Sequence, residues 1–353
     1  MEYKSKLHES TVKYPQSQIW MDSCGAEELA YGIERGCVGA TCNPNIVTQV
    51  IKNELDIWTP VIRKIIEENP EYNEDDVSWA LIDEIGRQRS QLLLPIFTES
   101  GGKLGRLSIQ TNIKNYRNTE RMLEQAIHLN ELGENMQVKL PASEAGVKAM
   151  EEATYRGISI NATVSFTVSQ AVAVAEAVER GLERRKKEGL SCAKMTPVCT
   201  IMAGRVDDWL KSYTTTKNLA VAPESLEWAG IAVEKEAYRV YNEKNYTTKL
   251  LTAANRNPYH WSEFVGGDIR QTINYGWQKK LESCDFDVVS RIDHPVHPEY
   301  MRQLKKYPEF MKAFENGAQN TSEFTDYGAF KFTLNGFLTG YEDLVKLVRP
   351  FLV

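Results

Sequence analysis

The feature that most restricts this chain is a local pattern repeated along its length: a short apolar run, a turn, then a helix stopped by glycine. Ile19–Asp22 reads as a strand, and a helix from about Ala26 follows with Leu29 and Ile33 on one face and Gly36 at its end. Val38–Cys42 opens the next unit, and Leu104–Gln110 fills a later slot. Met136, Val138 and Leu140 alternate as a strand that Pro141 closes; Ser143 can then cap a helix beginning at Glu144, with Val147 and Met150 on its apolar face and Gly157 in the C′ position. Ile158–Phe166 is another strand, after which Ala171, Val174, Ala175 and Val178 recur at helical spacing and Gly181 supplies the stop. Val198–Met202, Lys249–Ala253 and Ile269–Tyr275 complete the series, with helical text around Leu226–Tyr241.

About eight strands alternating with helices call for parallel βαβ units. Two architectures satisfy that pattern, a closed barrel and a doubly wound open sheet. The open sheet usually carries a glycine-rich first turn for a dinucleotide, and neither GxGxxG nor GxxxxGK[ST] occurs here. The expectation is therefore a (β/α)8 TIM barrel. No linker or composition break divides residues 1–353, so one domain is expected. Residues 53–103 form an expected helical insertion between the second and third strands, with Ile57, Val61 and Ile65, then Trp79, Ile82 and Ile85, at helical spacing. Residues 276–353 form an expected C-terminal helical extension punctuated by Pro295, Pro298 and Pro308.

Charge and cysteine usage narrow the partners. A formal net charge of -6 disfavours nucleic acid and anionic membranes, while leaving room for a local basic pocket that takes small anions. The N-terminal residues lack a secretory apolar core, and no apolar run is long enough to span a bilayer, so a cytoplasmic protein is expected. The six cysteines include no CxxC pair, and reduced, mostly buried thiols fit that compartment. Arg184-Arg185-Lys186-Lys187 suits a helix C-terminus facing solvent.

In a parallel barrel the reactive groups stand at the C-terminal strand ends. Those positions hold Asp22, Asn43, Gln110, Lys139, Asn161, Thr163, Thr200, Met202, Arg205 and Arg256. Lysine attacks a carbonyl only as the free amine, and an apolar barrel wall lowers its pKa by penalising the ammonium form. The protonated Schiff base then serves as an electron sink for making or breaking the adjacent C–C bond. Asp22 is the one carboxylate in this set available to move protons. A strand-end lysine snorkelling to solvent fits the same pattern. Arg205 and Arg256 can fork onto a phosphate, or each can pair with a structural carboxylate such as Asp207 or Asp208. His294 and His297 have metal-ligand spacing, but their flanking prolines imply an irregular loop without a partner set, so no metal is expected.

Together, Trp20-Met21-Asp22-Ser23, Gly39-Ala40-Thr41-Cys42-Asn43-Pro44, Val138–Gly146, Asn161–Phe166 and Ala203-Gly204-Arg205-Val206-Asp207 resemble the transaldolases, Schiff-base-forming barrel enzymes of sugar-phosphate metabolism. The motifs run in the family's order over about residues 18–275, and the resemblance fades beyond them. It implies Lys139 as the Schiff-base lysine, Asp22 as the acid/base, and Asn43 and Asn161 as donors to dihydroxyacetone hydroxyls, with Thr200 close by. Thr163 would help hold the catalytic water, and Arg205 with Arg256 would bind the phosphate. It further implies carbohydrate metabolism in the pentose phosphate pathway, sugar-phosphate substrates and no cofactor, and leaves a homo-oligomer open.

Two positions depart from the family pattern. Gln110 stands where the larger members carry glutamate, and resembles the shorter fructose-6-phosphate aldolase branch. Met202 stands where phenylalanine or tyrosine is usual, and supplies no hydroxyl. Three further readings follow: a lyase releasing free dihydroxyacetone, a sugar-phosphate-binding barrel with weak turnover, and a metal-dependent aldolase using His294 and His297.

Overall fold

Eight parallel strands close into one barrel in sequence order, β1 Gln18–Met21, β2 Cys37–Thr41, β3 Arg106–Gln110, β4 Met136–Pro141, β5 Ile160–Ser165, β6 Val198–Ile201, β7 Lys249–Thr252 and β8 Arg270–Ile273, with β8 pairing back onto β1. The structure is a computed structural model that describes residues 2–353. Helices alternate with the strands, as a (β/α)8 TIM barrel requires. Outward strand residues such as Val138, Leu140, Ile160 and Ala162 are fully buried beneath the helical layer. A smaller interior cluster of Trp20, Val198, Leu251 and Ala253 fills the barrel below its mouth. No helix among the described residues is long and apolar enough to cross a membrane.

Between β2 and β3 run the helices Pro44–Asn53, Leu55–Glu68 and Glu74–Glu99. The apolar face of Leu55–Glu68 lies one residue away from the expected Ile57, Val61 and Ile65. Trp58 and Ile62 are buried, whereas Ile57 is 50% exposed. Glu54 turns this helix by bonding the Trp58 indole at 2.9 Å and the Arg89 guanidinium, which draws Trp58 inward. Gly181 also differs from expectation. The helix Val168–Lys187 continues through it and ends before Gly189, whose φ is +70°. Gly181 instead lets the neighbouring helix Glu144–Tyr155 approach, because a Cβ there would lie 2.6 Å from Glu151 O.

After β8 come the helices Tyr275–Glu282, Pro298–Leu304, Pro308–Phe314 and Gly328–Val348. Pro298 and Pro308 each occupy a helix N-terminus, where a missing N–H costs nothing. The last helix runs along the mouth rim. Its Gly336 and Gly340 carbonyls accept from Asn45 Nδ2 and Thr48 Oγ1, both at 3.3 Å, and Phe332 stands 5.9 Å from the Arg205 guanidinium.

One buried acid stands outside the mouth. Glu234, on the helix Ala229–Lys244, is fully buried with neither carboxylate oxygen hydrogen-bonded. Burial pushes its carboxyl well above the usual range, and the Thr252 hydroxyl opposes this only in part. The folded state therefore keeps a proton that the unfolded chain releases above its ordinary value of 4.5, so stability falls as pH rises from there toward the raised value. Glu234→Gln should melt higher than the parent at pH 8, by about 1–3 kcal/mol, and nearly level with it at pH 4. Thermal unfolding at both pH values tests this; an equal difference at both would show that ionisation of Glu234 is not responsible.

Candidate active site

β3, β4 and β5 set Gln110, Lys139 and Asn161 side by side, since Gln110 pairs with Lys139 and Lys139 with Asn161 in the ladder. Lys139 is 3% exposed, and no salt bridge holds it among the described residues. Burial lowers its pKa below that of an ordinary lysine, while Asp22 and Cys42 pull it back up. Snorkelling to solvent does not describe this side chain.

Asp22 follows β1 and is half-buried, its backbone N–H bonded to Ile273 O of β8 at 3.2 Å. Burial raises its carboxyl above the usual range; the Lys139 charge and the Thr41 hydroxyl oppose this. Thr41 Oγ1 donates to Asp22 Oδ1 at 2.6 Å. Having given its only proton there, it accepts from Thr272 Oγ1, also at 2.6 Å. A chain of two hydroxyls thus orients the carboxylate from β2 and β8.

The amides divide into tied and untied groups. Asn161 donates to Ser108 Oγ at 2.9 Å and accepts from Thr200 Oγ1 at 2.7 Å, which fixes its amide plane. Asn43 Oδ1 caps the helix Pro44–Asn53 through the Ile46 N–H at 3.1 Å, a bond that does not engage its Nδ2. Gln110 is different. It is 2% exposed, and neither its Oε1 nor its Nε2 has a protein partner; Thr163 Oγ1 likewise has none. Buried amides and hydroxyls are costly unless satisfied, so these atoms suit water or substrate at the mouth. Val164, just beyond Thr163, has φ +51°, rare for a β-branched residue, at a register shift between β5 and β6. Backbone strain of this kind gathers at functional sites.

Met202 leaves β6 at 7% exposure, its N–H bonded to Ser165 O, and occupies the mouth with an adaptable apolar side chain. The two arginines are not equivalent. Arg256 Nε and Nη2 donate to Asp208 at 3.0 and 2.6 Å, and Nη1 to the Ala254 and Asn255 carbonyls at 3.1 Å. Arg205 is 3.7 Å from the same carboxylate, and burial together with the Arg256 charge lowers its pKa. Both candidate readings of Arg256 therefore meet in one place: it pairs with a carboxylate while standing at the rim beside Arg205.

Thr41, Thr272 and Ser108 escaped sequence reasoning, although two-residue alternation from Gly39 and from Gln110 puts Thr41 and Ser108 on the interior face. Cys42 and Cys24, their sulfurs 3.3 Å apart, are also buried beside this site, and all six cysteines are free thiols. His297 caps the helix Pro298–Leu304 through the Glu299 N–H, and no cluster of three or more metal-ligating side chains occurs among the described residues.

A family profile described as Transaldolase/Fructose-6-phosphate aldolase matches residues 19–326. The chain is similar to a Transaldolase of Mycobacterium tuberculosis (strain ATCC 25618 / H37Rv), 27% identical over 233 residues, which is 64% of this chain and 62% of that protein. It is similarly related to a Transaldolase of Mycobacterium ulcerans (26% identical over 233 residues) and to Transaldolase 2 of Streptomyces coelicolor (27% over 237 residues), with the same coverage of 64% and 62%. The chain thus spans 62% of the length of the curated relatives it matches.

Proposed function

This chain belongs to the transaldolase/fructose-6-phosphate aldolase family, and from that premise we propose that it is a transaldolase-type transferase working through a Schiff base on Lys139. The observation that carries the proposal is a buried lysine with lowered pKa facing a half-buried carboxylate with raised pKa. Environments that push two titratable groups apart in this way are how acid and base roles are set in known active sites.

The Lys139 amine adds to the ketone carbon of a ketose phosphate, and the carbinolamine loses water to give a protonated imine. Asp22 accepts the proton of the hydroxyl borne by the far carbon of the C–C bond that breaks. That C–C bond cleaves, its electron pair moves into the imine to form an enamine, and the shortened aldose phosphate leaves. The enamine then attacks the aldehyde carbon of an acceptor aldose phosphate, Asp22 returns the proton to the new alkoxide, and water releases the product and the free amine. Asn43 and Asn161 hold the hydroxyls of the dihydroxyacetone unit, with Thr200 fixing Asn161. Gln110 and Thr163 hold the water consumed and released, and Met202 walls the pocket. Arg205 with Arg256 receives the phosphate. The reading places the protein in cytoplasmic carbohydrate metabolism with sugar phosphates as its small-molecule partners.

Incubation with fructose 6-phosphate followed by borohydride reduction should leave one adduct, mapped to the peptide containing Lys139. Failure to trap an adduct with any ketose phosphate would sink the covalent mechanism.

Gln110 favours a second reading, a lyase that releases free dihydroxyacetone. An amide orients water but takes up no proton, so proton delivery to the imine falls to another group. Turnover that depends strictly on erythrose 4-phosphate excludes this reading, and dihydroxyacetone release without an acceptor supports it. Gln110→Glu should raise transferase kcat by about 10-fold if the water relay limits the rate. Unchanged steady-state kinetics would show that it does not.

A further inference from the structure

Arg256 sits in a loop whose backbone is under strain. Two residues before it, Ala254 has φ +67°, a conformation that L-residues with a Cβ rarely hold. The loop also presses on the start of the helix Ala203–Thr216, where only glycine fits: a Cβ on Gly204 would lie 1.8 Å from Ala254 O and 2.9 Å from Arg256 Cγ. A strained loop persists only where its surroundings over-determine it, and a phosphate clamp gains nothing from an arginine whose backbone drifts. The Asp208 carboxylate restrains the guanidinium. Its Nη1 also ties back to the Ala254 and Asn255 carbonyls, which leaves the Arg256 N–H itself in need of a restraint.

That restraint is His260. Its Nδ1 accepts the Arg256 backbone N–H at 2.9 Å, so the ring proton is on Nε2. Nε2 lies 3.0 Å from Asp207 Oδ2, a close electrostatic approach that is not aligned as a hydrogen bond, and the two side chains are 1% and 0% exposed. Asp207 Oδ1 in turn accepts the Gly230 N–H at 2.8 Å, in the first turn of the helix Ala229–Lys244, where the helix dipole favours a negative charge. Adjacent carboxylates therefore divide the work. Asp208 faces the arginine side chains, and Asp207 faces inward beside the imidazole that holds the arginine backbone.

We propose that His260, buried against Asp207, is a positioning residue for phosphate binding: it fixes the Arg256 backbone so that Arg205 and Arg256 present a preformed clamp to the phosphate of the substrate. This rests on the assignment of substrate phosphate to that arginine rim. His260 touches neither the reacting carbons nor Lys139, so its removal weakens phosphate binding and spares the chemical step.

The test uses paired variants of the full chain. His260→Asn keeps an acceptor where Nδ1 stands, whereas His260→Gln places its amide where Nε2 stands. His260→Gln should raise KM for fructose 6-phosphate about 10-fold, the factor expected for one lost hydrogen bond, with kcat within about 2-fold of the parent. His260→Asn should recover most of that loss. Calorimetric binding of inorganic phosphate, which needs no turnover, should weaken in the same order. A fall in kcat at unchanged KM, equal losses in both variants, or phosphate affinity indifferent to both would overturn the proposal. If neither variant folds, nitrogen NMR on the unmodified protein decides. An Nε2-protonated His260 whose Nδ1 resonance moves on phosphate addition supports the role, and an Nδ1-protonated or indifferent ring refutes it. Absence of any Lys139 adduct, with His260-dependent phosphate binding intact, would remove the transferase reading and leave this one standing.

Discussion

Replacing Lys139 by alanine should lower kcat by about 10⁴-fold or more and abolish borohydride trapping, while the protein keeps its fold and its affinity for inorganic phosphate. The size follows from removing a covalent nucleophile for which nothing else in the mouth can substitute. Arg205 is too strongly basic to act as a free amine, and Lys139 is the one lysine among the strand-end residues named above. Retention of the fold follows from the energetics of burial. A lysine 3% exposed with a lowered pKa is held against its preference for water, so truncation removes a desolvation cost along with its packing. Thermal unfolding should therefore show little loss, or a gain, at pH 7, and steady-state assays should show collapse. A variant that keeps more than about a tenth of the parent kcat would show that the reaction does not pass through this amine.

Asp22→Asn should separate the two halves of the chemistry. The asparagine still accepts from Thr41, so its position is kept, but it takes up no proton. Transfer kcat should fall by about 10²–10⁴-fold, the range for a lost general acid–base. Borohydride trapping of an unreacted ketose phosphate should persist, because imine formation precedes the step that needs Asp22. The pH profile carries the sign. Asp22 must be ionised to accept the hydroxyl proton, and burial raises its pKa above 3.8, so the acid limb of kcat should lie above the ordinary carboxylate range. Lys139 must be a free amine, and its lowered pKa brings that form to lower pH than the 10.5 of an exposed lysine. Loss of the trapped adduct in Asp22→Asn would reassign the carboxylate to imine formation.

Much of the mouth was legible because strand ends can be read from alternation and closing residues. Lys139 was placed by the apolar residues around it and by Pro141, and Ser143 does cap the next helix, accepting the Gly146 N–H at 3.0 Å. What stayed hidden depends on contacts distant in the chain. Thr41 and Thr272 meet across 231 positions, and neither strand alone says that its hydroxyl faces the other. His260 stands in the sequence between Tyr259 and Trp261, and its proximity to Asp207, from another unit, shows only in the fold. Helix faces failed for a different reason. Glu54 rotates the helix Leu55–Glu68 by holding Trp58, so an ion pair to Arg89 outweighs the pattern of Ile57, Val61 and Ile65. The inequality of Arg205 and Arg256 was likewise invisible, since Asp208 follows Arg205 in sequence yet bonds Arg256 more closely.

The bond from the Asp22 N–H to Ile273 O lies on the seam where β1 and β8 join. On a ribosome, β3, β4 and β5 emerge long before that seam can form. Lys139 can thus acquire its neighbours Gln110 and Asn161 while Asp22 still waits for a strand some 250 residues downstream to anchor it. Contacts of such high sequence separation form late and slowly. A chain that ends before β8 would keep the β3–β5 ladder around Lys139 and lack the backbone anchor of Asp22.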